Sequence, residues 1–344
     1  INALKNDVAA VRLWSSSSLA EIGNVSLGNA QLAAEQLLIS LKIDNEPGVR
    51  SNCIWSLCRL YEKLNNTYNI APSLSPDGSK IALISNKDGS MGIFLMSSED
   101  GRFLKRIIKG ERSAEYEELH ILKPGLSWSP NGEEITFAAK SGKSDALFVA
   151  NILTDDVKKY EFNMEGIFRP SWNPKKNEIA FIGNDGKQSD IYVYNITKDS
   201  LLNITNDWFT DDQISWSPDG TNIIFISDRN DITKENKPKN LNNHNVDQMD
   251  IYQINVKTKK IDRITNTIFN EGYPLYTNDL KKIIYISDEY GINNINVLDL
   301  NLKKSQPITN LLTGVSQLSW NQTNDHLVFA GFENNGYDIF MMQN

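Results

Sequence analysis

Cysteine and histidine are scarce in this sequence, whose 344 residues include 2 Cys and 3 His. Cys53 and Cys58 lie in a segment with helical periodicity, where a rotation of about 100° per residue puts them on different faces. A disulfide between them is not expected and a metal site needs more ligands, so both are predicted to be small core residues. No stretch approaches the roughly 18 apolar residues of a membrane-spanning helix, so no transmembrane segment is predicted.

Basic residues are outnumbered, with 35 Lys and Arg against 43 Asp and Glu and a net charge of -8. An acidic surface repels phosphate backbones, so nucleic acid is not an expected partner. Solubility alone also explains the charge. Ile1 stands first, without a methionine or a basic-then-apolar leader, which fits a start behind a removed signal peptide or at an internal boundary.

A repeated segment organises most of the sequence. Four clear copies are APSLSPDGSKIAL from Ala71, GLSWSPNGEEITF from Gly125, RPSWNPKKNEIAF from Arg169 and QISWSPDGTNIIF from Gln213. Two weaker copies are YPLYTNDLKKIIY from Tyr273 and QLSWNQTNDHLVF from Gln317. Self-similarity at a fixed period is the signature of a repeat architecture, so the repeat predicts the fold before any local assignment is made.

An aromatic residue marks the length of the repeat. One repeat position is occupied by Trp128, Trp172, Trp216 and Trp320, with Leu74 and Tyr276 in the remaining copies. Where no insertion intervenes the spacing is 44 residues, which is the length of one four-stranded blade. Asp-Gly or Asn-Gly turns follow the aromatic strand, and the run beginning Asp-Ile-Tyr predicts the third strand. Six such units predict a mainly β fold, a six-bladed β-propeller.

The units, with S-W-S-P-D-G followed by I-x-F and then D-I-Y, closely resemble the WD40-like repeat of the TolB β-propeller family. The resemblance covers Ala71 to the C-terminus. It implies a TolB-like propeller in an extracytoplasmic bacterial compartment, most simply the periplasm. It implies little about activity, because propellers serve as lyases, peptidase gates and docking modules alike.

The sixth unit contains only three of the four strands of a blade. An unpaired outer edge is costly. We therefore expect the segment from Asn65 to Ile70 to pair with the third strand of blade six as its outer strand. In that arrangement the ring is closed by joining its two ends.

The residues before the repeat show helical rather than strand periodicity, in segments near 7–22, 29–43 and 47–63. The sequence therefore predicts two parts, a HEAT-like helical segment at 1–64 and a propeller at 65–344. The alternating pattern typical of strands is missing from the first part, so we expect a small all-α segment there.

The likeness to HEAT repeats depends on a short internal similarity. Val11-Arg12 and Leu19 recur 38 residues later as Val49-Arg50 and Leu57, and they resemble HEAT repeats, whose helix pairs stack into protein-binding solenoids. Only about one and a half units are present, whereas a solenoid needs about three. The segment is therefore expected either to pack against the propeller or to complete its core with a partner chain.

No catalytic motif is present. The G-x-S-x-G elbow of the propeller-gated peptidases is missing, as are calcium, phosphate and dinucleotide-binding motifs. His120, His244 and His326 fall at unrelated repeat positions, which is typical of surface or loop histidines rather than of converging ligands. We therefore expect a protein that is not an enzyme, with no catalytic residue, cofactor or metal.

Oxygen-bearing side chains recur near the ends of the second strands, at Asn86, Asn184-Asp185, Asp228 and Asp288. They could ring one mouth of the channel and bind a cation. Alternatively, each begins the turn to the third strand by bonding its own backbone. The sequence leaves both explanations open.

Two insertions interrupt the regular spacing, one from Lys109 to Pro124 and the other from Asp231 to Asp247. Both emerge on the same face of the blades, and long loops on a rigid scaffold are where recognition usually resides. They are either tolerated loops or a docking surface. The predicted partner-binding residues are Glu111, Glu115, Glu117, Glu118, Lys234, Lys237, Lys239 and His244.

Three functions remain open. The favoured one is a non-catalytic interaction subunit that uses the HEAT-like helices and the insertion-bearing face to assemble a larger complex. The combination of helices, propeller and Asn-, Ile- and Lys-rich composition resembles the accessory subunit of the filament-forming nitrite oxidoreductase of anammox bacteria. The alternatives are a TolB-type component that binds a peptidoglycan-associated lipoprotein, and a channel-site enzyme or small-ligand sensor.

Overall fold

The fold is seen in a computed structural model, which describes residues 2–23, 27–65, 68–110, 118–230, 245–321, 326–333 and 336–342. These residues form three α-helices followed by a six-bladed β-propeller. The predicted mainly β fold with a helical leader is confirmed. None of the described helices is long and apolar enough to cross a membrane.

The helices of the leader are α1 Ala9–Gly23, α2 Leu27–Ile43 and α3 Pro47–Asn65, after a short 3-10 helix, Asn2–Lys5. Pro47 occupies the first position of α3, where a missing N–H leaves no helical hydrogen bond unmade. Arg12 of α1 holds Asp44, just after α2, with Nε 2.7 Å from Oδ2 and Nη2 3.0 Å from Oδ1. This bidentate pair fixes the start of α1 against the end of α2.

One apolar core joins the three helices. Cys53 is fully buried in it, and burial raises the pKa of its thiol, as expected for a small core residue. The buried members of this core are Leu4, Leu19, Ala20, Ala33, Ala34, Leu37, Val49 and Cys53.

Each blade of the propeller is an antiparallel sheet whose strands follow one another along the chain. Blade one contains β1 Asn69–Leu74, β2 Lys80–Ser85, β3 Gly92–Ser97 and β4 Phe103–Lys109. Blade two contains β5 Glu118–Leu119, β6 Leu126–Trp128, β7 Glu134–Ser141, β8 Ser144–Asn151 and β9 Val157–Glu161. Blade three contains β10 Gly166–Trp172, β11 Glu178–Asn184, β12 Ser189–Asn195 and β13 Ser200–Asn203. Blade four contains β14 Asp211–Trp216, β15 Asn222–Ser227, β16 Asp250–Asn255 and β17 Ile261–Arg263. Blade five contains β18 Glu271–Tyr276, β19 Lys282–Ser287, β20 Asn294–Asp299 and β21 Lys304–Pro307. Blade six contains β22 Val315–Trp320, β23 Leu327–Glu333 and β24 Gly336–Met342.

The chain divides into two compact units. The first contains residues 1–69, 85–91 and 332–338, and the second contains residues 70–84, 92–331 and 339–344. The domain boundary predicted between residues 64 and 65 stays a prediction.

The Ser-Pro-Asp-Gly part of the repeat forms the turn after the inner strand. In blade one, Ser75 Oγ donates to Asp77 Oδ1 at 2.5 Å, and Gly78 adopts a φ of 72°. Burial raises the pKa of the Asp77 carboxyl, but hydrogen bonds from Ser75 and Ser79 outweigh it and lower the pKa to about 2. The conspicuous aspartate of the motif is therefore part of a turn and not of a binding site.

The repeat tryptophans are core residues that join neighbouring blades. Trp128, Trp172 and Trp216 are each 5–6% exposed, whereas Trp320 is half-buried. Trp128 Nε1 donates to the carbonyl of Ser73 in the preceding blade at 2.9 Å, and Trp216 Nε1 donates to a carbonyl of blade three at 3.0 Å. The rings of Trp128 and Trp216 therefore fill space between blades while their N–H groups are satisfied across the junction. The indole N–H groups of Trp172 and Trp320 are buried without a hydrogen-bond partner among the described residues.

An Ile-Thr pair closes the outer edge of the third strand in blades three, four and five. In blade three, Ile191 of β12 donates its N–H to Thr205 Oγ1 at 3.0 Å, and its carbonyl accepts from Ile204 N at 2.8 Å. The same two bonds recur in blade four between Ile251 and Ile264-Thr265, at 2.8 Å each. We call this arrangement the Ile-Thr latch; in blade five it joins Ile295 to Ile308-Thr309 at the same distances.

In blades three and five a side-chain oxygen one residue before the latched isoleucine completes the latch, whereas in blade four Thr265 Oγ1 donates to Glu271 Oε2 at 3.3 Å and Asp250 Oδ1 accepts from Thr267 N at 3.3 Å. Asp190 Oδ1 accepts from Thr205 Oγ1 at 3.2 Å and from Asp207 N at 3.1 Å. Asn294 Oδ1 does the same in blade five, accepting from Thr309 Oγ1 at 2.9 Å and Leu311 N at 2.8 Å. The first residue of the Asp-Ile-Tyr motif therefore guides the chain from one blade into the next.

Blades six and one close the ring through their inner strands. Gln317 Oε1 accepts from Ala71 N at 2.6 Å, and Ser319 Oγ accepts from Leu74 N at 3.0 Å. Asn321 Nδ2 adds a bond of 2.7 Å to the carbonyl of Ser75.

The segment predicted to supply the outer strand of blade six makes one strand contact with β24. Asn65 is the last residue of α3 and Ile70 lies in β1, while Tyr68 makes a single parallel bridge to Tyr337. Residues 66–67 lie outside the described residues. Among the described residues blade six has three strands, so the predicted bounds of Asn65 to Ile70 for an outer strand are wrong, because the ends of this segment belong to α3 and β1.

Candidate functional site

The hub of the propeller is a channel of about 420 Å³ lined by the inner strands of the six blades. Five of the six residues three positions before the repeat aromatic have a positive φ of 49–58°. At four of them the inner strand shifts register by a β-bulge, which re-aims side chains at functional positions of sheets. The six positions are Ala71, Gly125, Arg169, Gln213, Tyr273 and Gln317, and all line the channel.

Arg169 is the charged member of this ring. Its Nε lies 2.6 Å from Asp212 Oδ1, and its Nη1 donates to the Tyr273 hydroxyl at 3.1 Å. Lys123 Nζ approaches the other oxygen of Asp212 at 3.7 Å. Burial lowers the pKa of Arg169, but the charge of Asp212 outweighs it and raises the pKa, so the guanidinium stays charged. This group joins blades three, four and five across the hub.

The two glutamines of the ring have a structural role. Gln213 Oε1 accepts from the backbone N–H of Tyr273 in blade five at 2.6 Å. Gln317 Oε1 accepts in the same way from the backbone N–H of Ala71 in blade one at 2.6 Å. The positive φ that turns each residue into the channel leaves its neighbour's N–H without a strand partner, which the amide oxygen supplies. These amides therefore stabilise the bulges of the inner strands.

The oxygen-bearing residues near the ends of the second strands do not act together. Asp228 Oδ1 accepts from Thr210 N at 2.8 Å, and Asp288 Oδ1 from Asn270 N at 2.9 Å. Asn86 Oδ1 accepts from the backbone N–H of Tyr68 in the same way at 2.9 Å. Each partner lies 18 residues earlier, on the chain entering the same blade. The bonds hold the blade entrance, which is a role that neither sequence explanation named, and the cation site stays a prediction at these three positions.

Asn184 and Asp185 follow the simpler explanation instead. Asn184 Oδ1 accepts from Gly186 N at 2.7 Å, and Asp185 Oδ1 accepts from Lys187 N at 3.0 Å. Backbone donors of this turn lower the pKa of the Asp185 carboxyl. These two residues therefore stabilise their own turn between the second and third strands.

A buried charged cluster lies where blade three meets blade four. Asp190, Asp207 and Asp211 are the only three acids of the described residues whose ligand atoms lie within 4.8 Å of one another. Arg229 already fills the cationic role there, with Nη1 2.8 Å from Asp207 Oδ2 and Nη2 bonded to Asp211 Oδ1. Rings of three aromatic residues flank the guanidinium with centroids 5.4–5.7 Å away. The cluster is therefore a buried salt bridge in an aromatic box.

Two buried carboxyls have a raised pKa, Asp211 in this cluster and Glu271 at the corresponding place in blade five. Burial raises the pKa of Asp211, with a further rise from Asp207 that Arg229 opposes. Glu271, five residues before Tyr276 as Asp211 is before Trp216, has its pKa raised by burial to about 7. Both carboxyls are structural groups that bind a proton more tightly in the fold.

The described histidines lie apart. His120 Nε2 is 3.0 Å from Asp145 Oδ2 and its ring packs edge-on against Phe168 at 4.9 Å. His326 lies on another blade, where its backbone carbonyl accepts from Asn321 N. His244 lies outside the described residues. The two that are described do not converge on one site.

The predicted partner-binding residues fall mostly outside the described chain. Glu118 is exposed in β5, opposite Lys140 of β7, and the structure brings it to an accessible position. Those outside the described residues are Glu111, Glu115, Glu117, Lys234, Lys237, Lys239 and His244. The docking surface of the two insertions therefore stays a prediction.

Sequence reasoning missed an apolar surface on the helices. Trp14 of α1 is 72% exposed, Ile43 of α2 is 71% exposed and Trp55 of α3 is 67% exposed. A groove on α1 runs along residues spaced three or four apart, including Val11, Trp14 and Ile22. α1 is thus apolar on the face towards its own core and again on the opposite face, a pattern that indicates burial on both sides. The three- and four-residue spacing was a usable signal.

The family model of the TolB beta propeller domain matches residues 112–234. The predicted resemblance to TolB-like propellers is confirmed by this match and by the six-bladed fold. No curated protein has a sequence that matches this chain.

Solved structures share the fold at low sequence identity. A putative TolB from Agrobacterium tumefaciens has a TM-score of 0.57 and 17% identity over 71% of this chain and 81% of its own. TolB from Acinetobacter baumannii has a TM-score of 0.58 and 18% identity over 87% and 68%. The tricorn protease has a TM-score of 0.57 and 11% identity over 81% and 25%. At such identities the likeness shows the fold alone.

Proposed function

We propose that this protein is a non-catalytic interaction subunit that helps to assemble a larger complex outside the cytoplasm. Its TolB-like propeller is a rigid scaffold, and its helices and loops supply the contact surfaces. The resemblance to TolB-like repeats supports a periplasmic or other extracytoplasmic bacterial compartment. The likeness to the anammox nitrite oxidoreductase subunit extends this to a respiratory complex and stays a prediction.

The observation that carries the proposal is the set of exposed apolar side chains on α1, α2 and α3, with the apolar groove on α1. Two of these side chains, Trp14 in the groove and Trp55 on α3, are each at least 67% exposed. Tryptophan is enriched among the residues that dominate binding energy, and large exposed apolar patches mark interaction sites. A HEAT-like helix pair exposes such a face where the next pair, or a partner, packs.

The chemistry of the hub also favours binding over catalysis. The polar groups of the hub channel and of the blade junctions that are described above mostly hold backbone N–H groups or each other. A catalytic site needs an acid, base or nucleophile that is available to substrate. The described polar groups are used for closing blades, which supports a scaffold role.

Native mass spectrometry of the complex isolated from its source tests the proposal. We expect Trp14→Glu to release the partner chains, because a charge replaces the centre of the apolar face. Trp208→Glu is a matched control, since Trp208 of the propeller is also 67% exposed. Deleting Asp231 to Asp247 should weaken assembly as well. If both variants keep the complete complex, the interaction function is wrong.

A TolB-type component that binds a peptidoglycan-associated lipoprotein is the second candidate. The TolB-like repeat supports it, but the described residues before β1 form only helices, where TolB proteins have an α/β domain. Purified lipoprotein added to the protein decides between them, because binding there would identify the partner directly.

A further inference from the structure

The charge of the hub channel is opposite in sign to that of the whole chain. Arg169 and Lys175 are the only charged residues that line it, and among the described residues no aspartate or glutamate does. The chain as a whole has a net charge of -8. A cleft lined by charges of one sign concentrates counter-ions, so this channel attracts anions.

Arg169 is fixed in a position from which it can bind an anion. Its side chain is 10% exposed, with Nε close to Asp212 and Nη1 donating to the Tyr273 hydroxyl. Nη2 has no partner within the described chain. A guanidinium binds an oxyanion through two parallel N–H bonds, and a side chain that is already held loses little entropy on binding. Nη2 and the second hydrogen of Nη1 are therefore available to a ligand.

The charge of Arg169 is not fully cancelled by Asp212. Lys123 Nζ lies 3.7 Å from the second oxygen of Asp212, so two cations share one carboxylate. This group of three side chains keeps one positive charge in excess. Lys175, which is exposed past the end of β10, adds a further positive charge to the channel. An anion can therefore bind there without displacing Asp212.

A ring of serines provides uncharged donors further along the channel. In five of the six blades the residue before the repeat aromatic position is a serine that lines the channel. Ser127 Oγ accepts from Trp172 N at 2.9 Å, and Ser319 Oγ accepts from Leu74 N at 3.0 Å. A hydroxyl that accepts keeps its hydrogen for another bond, and within the described chain none of the five donates one. The five are Ser73, Ser127, Ser171, Ser215 and Ser319.

We propose that the hub channel binds a small oxyanion, a carboxylate or phosphate compound whose charged oxygens lie on the Arg169 guanidinium and whose other polar groups reach the serine ring. The proposal goes beyond the interaction function, because the ligand is a small molecule and not a partner chain. The channel volume of about 420 Å³ lies within the range of small-molecule sites, roughly 300 to 1,000 Å³. Arg169 and Ser171 are two residues apart on β10, roughly 7 Å in a strand, so a ligand that reaches both carries more than one polar group.

Isothermal titration calorimetry with citrate and with inorganic phosphate tests the site. Both titrations use the whole protein in dilute Tris chloride, which contains no competing oxyanion. Citrate carries carboxylates and a hydroxyl, whereas phosphate is compact, so the two probes distinguish the two sources of the oxyanion. We expect saturable binding of at least one of them, with one anion per chain. If neither binds, the proposal is wrong.

A change of Arg169 locates the bound anion. Arg169→Gln should weaken the binding about tenfold or more, because hydrogen bonds from a charged donor are lost. Arg102→Gln, on a 73% exposed side chain just before β4, is the matched control and should leave the affinity unchanged. Binding that survives Arg169→Gln unaltered takes place elsewhere on the protein and overturns the assignment.

A pair of serines keeps the test independent of the Arg169 bridge. The hydroxyls of Ser171 and Ser215 make no hydrogen bond within the described chain, so changing both to alanine should leave the fold intact. The double variant should bind the anion about tenfold more weakly, because two donors are lost. Ser200→Ala, an exposed change in β13, is its control. If Arg169→Gln does not fold, this pair decides, and equal affinity of the double variant and the unaltered protein refutes the proposal.

The variant Trp14→Glu separates this site from the interaction function. It changes the helix surface and should release the partner chains, but it should leave the affinity for the anion as it was. Anion binding that disappears in Trp14→Glu would place the anion on the helices and overturn the hub site. A complex that survives Trp14→Glu while the hub binds its anion contradicts the interaction function alone.

Discussion

Replacing Arg229 with methionine is the most direct test of how blades three and four are held together. The guanidinium is 2% exposed and bridges the carboxylates of Asp207 and Asp211. Methionine keeps the length and packs against the surrounding rings of Phe209, Phe225 and Tyr252. The change therefore removes the positive charge with little loss of volume.

The expected cost follows from what remains behind. Two buried carboxylates lose their counter-charge, and removing one partner of a buried pair costs about 3 to 5 kcal/mol. That corresponds to a midpoint of thermal unfolding lower by roughly 5 to 9 °C for a domain of this size. A second change, Asp211→Asn, should recover about half of the loss, because it removes one of the two uncompensated charges.

Thermal unfolding followed by circular dichroism at pH 5 and pH 8 measures these differences. Burial raises the pKa of Asp211 above its unfolded value, so the folded state binds a proton more tightly. Without Arg229 that pKa rises further, and the loss of stability should be smaller at pH 5 than at pH 8. Arg102→Met, on a 73% exposed side chain, should change little. An unchanged midpoint, or equal losses at the two pH values, would refute the reasoning.

Three further variants probe other parts of the repeat. Trp216→Ala should cost about 3 to 5 kcal/mol in denaturant unfolding and Trp320→Ala less, because Trp320 is half-buried; equal losses would contradict the packing argument. In the unaltered protein the folded pKa of Glu271, about 7, exceeds the unfolded value, so stability should fall by roughly 2 kcal/mol between pH 4.5 and 7 as Glu271 loses its proton. Glu271→Gln should remove this fall, and an unchanged pH profile would be inconsistent with the reasoning. Thr205→Val should cost about 1 to 3 kcal/mol by leaving Ile191 N unpaired, and an unaltered midpoint would show the latch to be dispensable.

The fold was predictable because the repeat is written in apolar and turn residues. Trp128, Trp172 and Trp216 recur at a fixed spacing because each fills the same junction between blades. Asp77-Gly78 predicts its turn because few residues accept a φ of 72°. Such local requirements act at one position at a time, so a single sequence reveals them.

The polar contacts were not predictable because they join residues whose distance depends on the folded blade. Asp228 was a candidate cation ligand or turn former, but it holds the N–H of Thr210 at the entrance of its blade. Arg229, the next residue in the sequence, showed no signal of a functional or structural role. Its partners Asp207 and Asp211 lie 22 and 18 residues before it and meet it only in the folded blade. The Asp228 contact recurs at Asn86 and Asp288, each with a partner 18 residues earlier, but only the folded blade shows this. The ion pair of Arg229 has no such repeat signal, since Glu289 stands at the matching position of blade five.

Differences between copies show how one repeat position is used in different ways along this chain. Asp190, Asp250 and Asn294 are buried because each is used in closing its own blade. Asp338 has the same place in the repeat, but it is exposed and accepts from Asn69 Nδ2 at 2.6 Å. In blade six this oxygen therefore joins β24 to the start of β1, where the two ends of the ring meet.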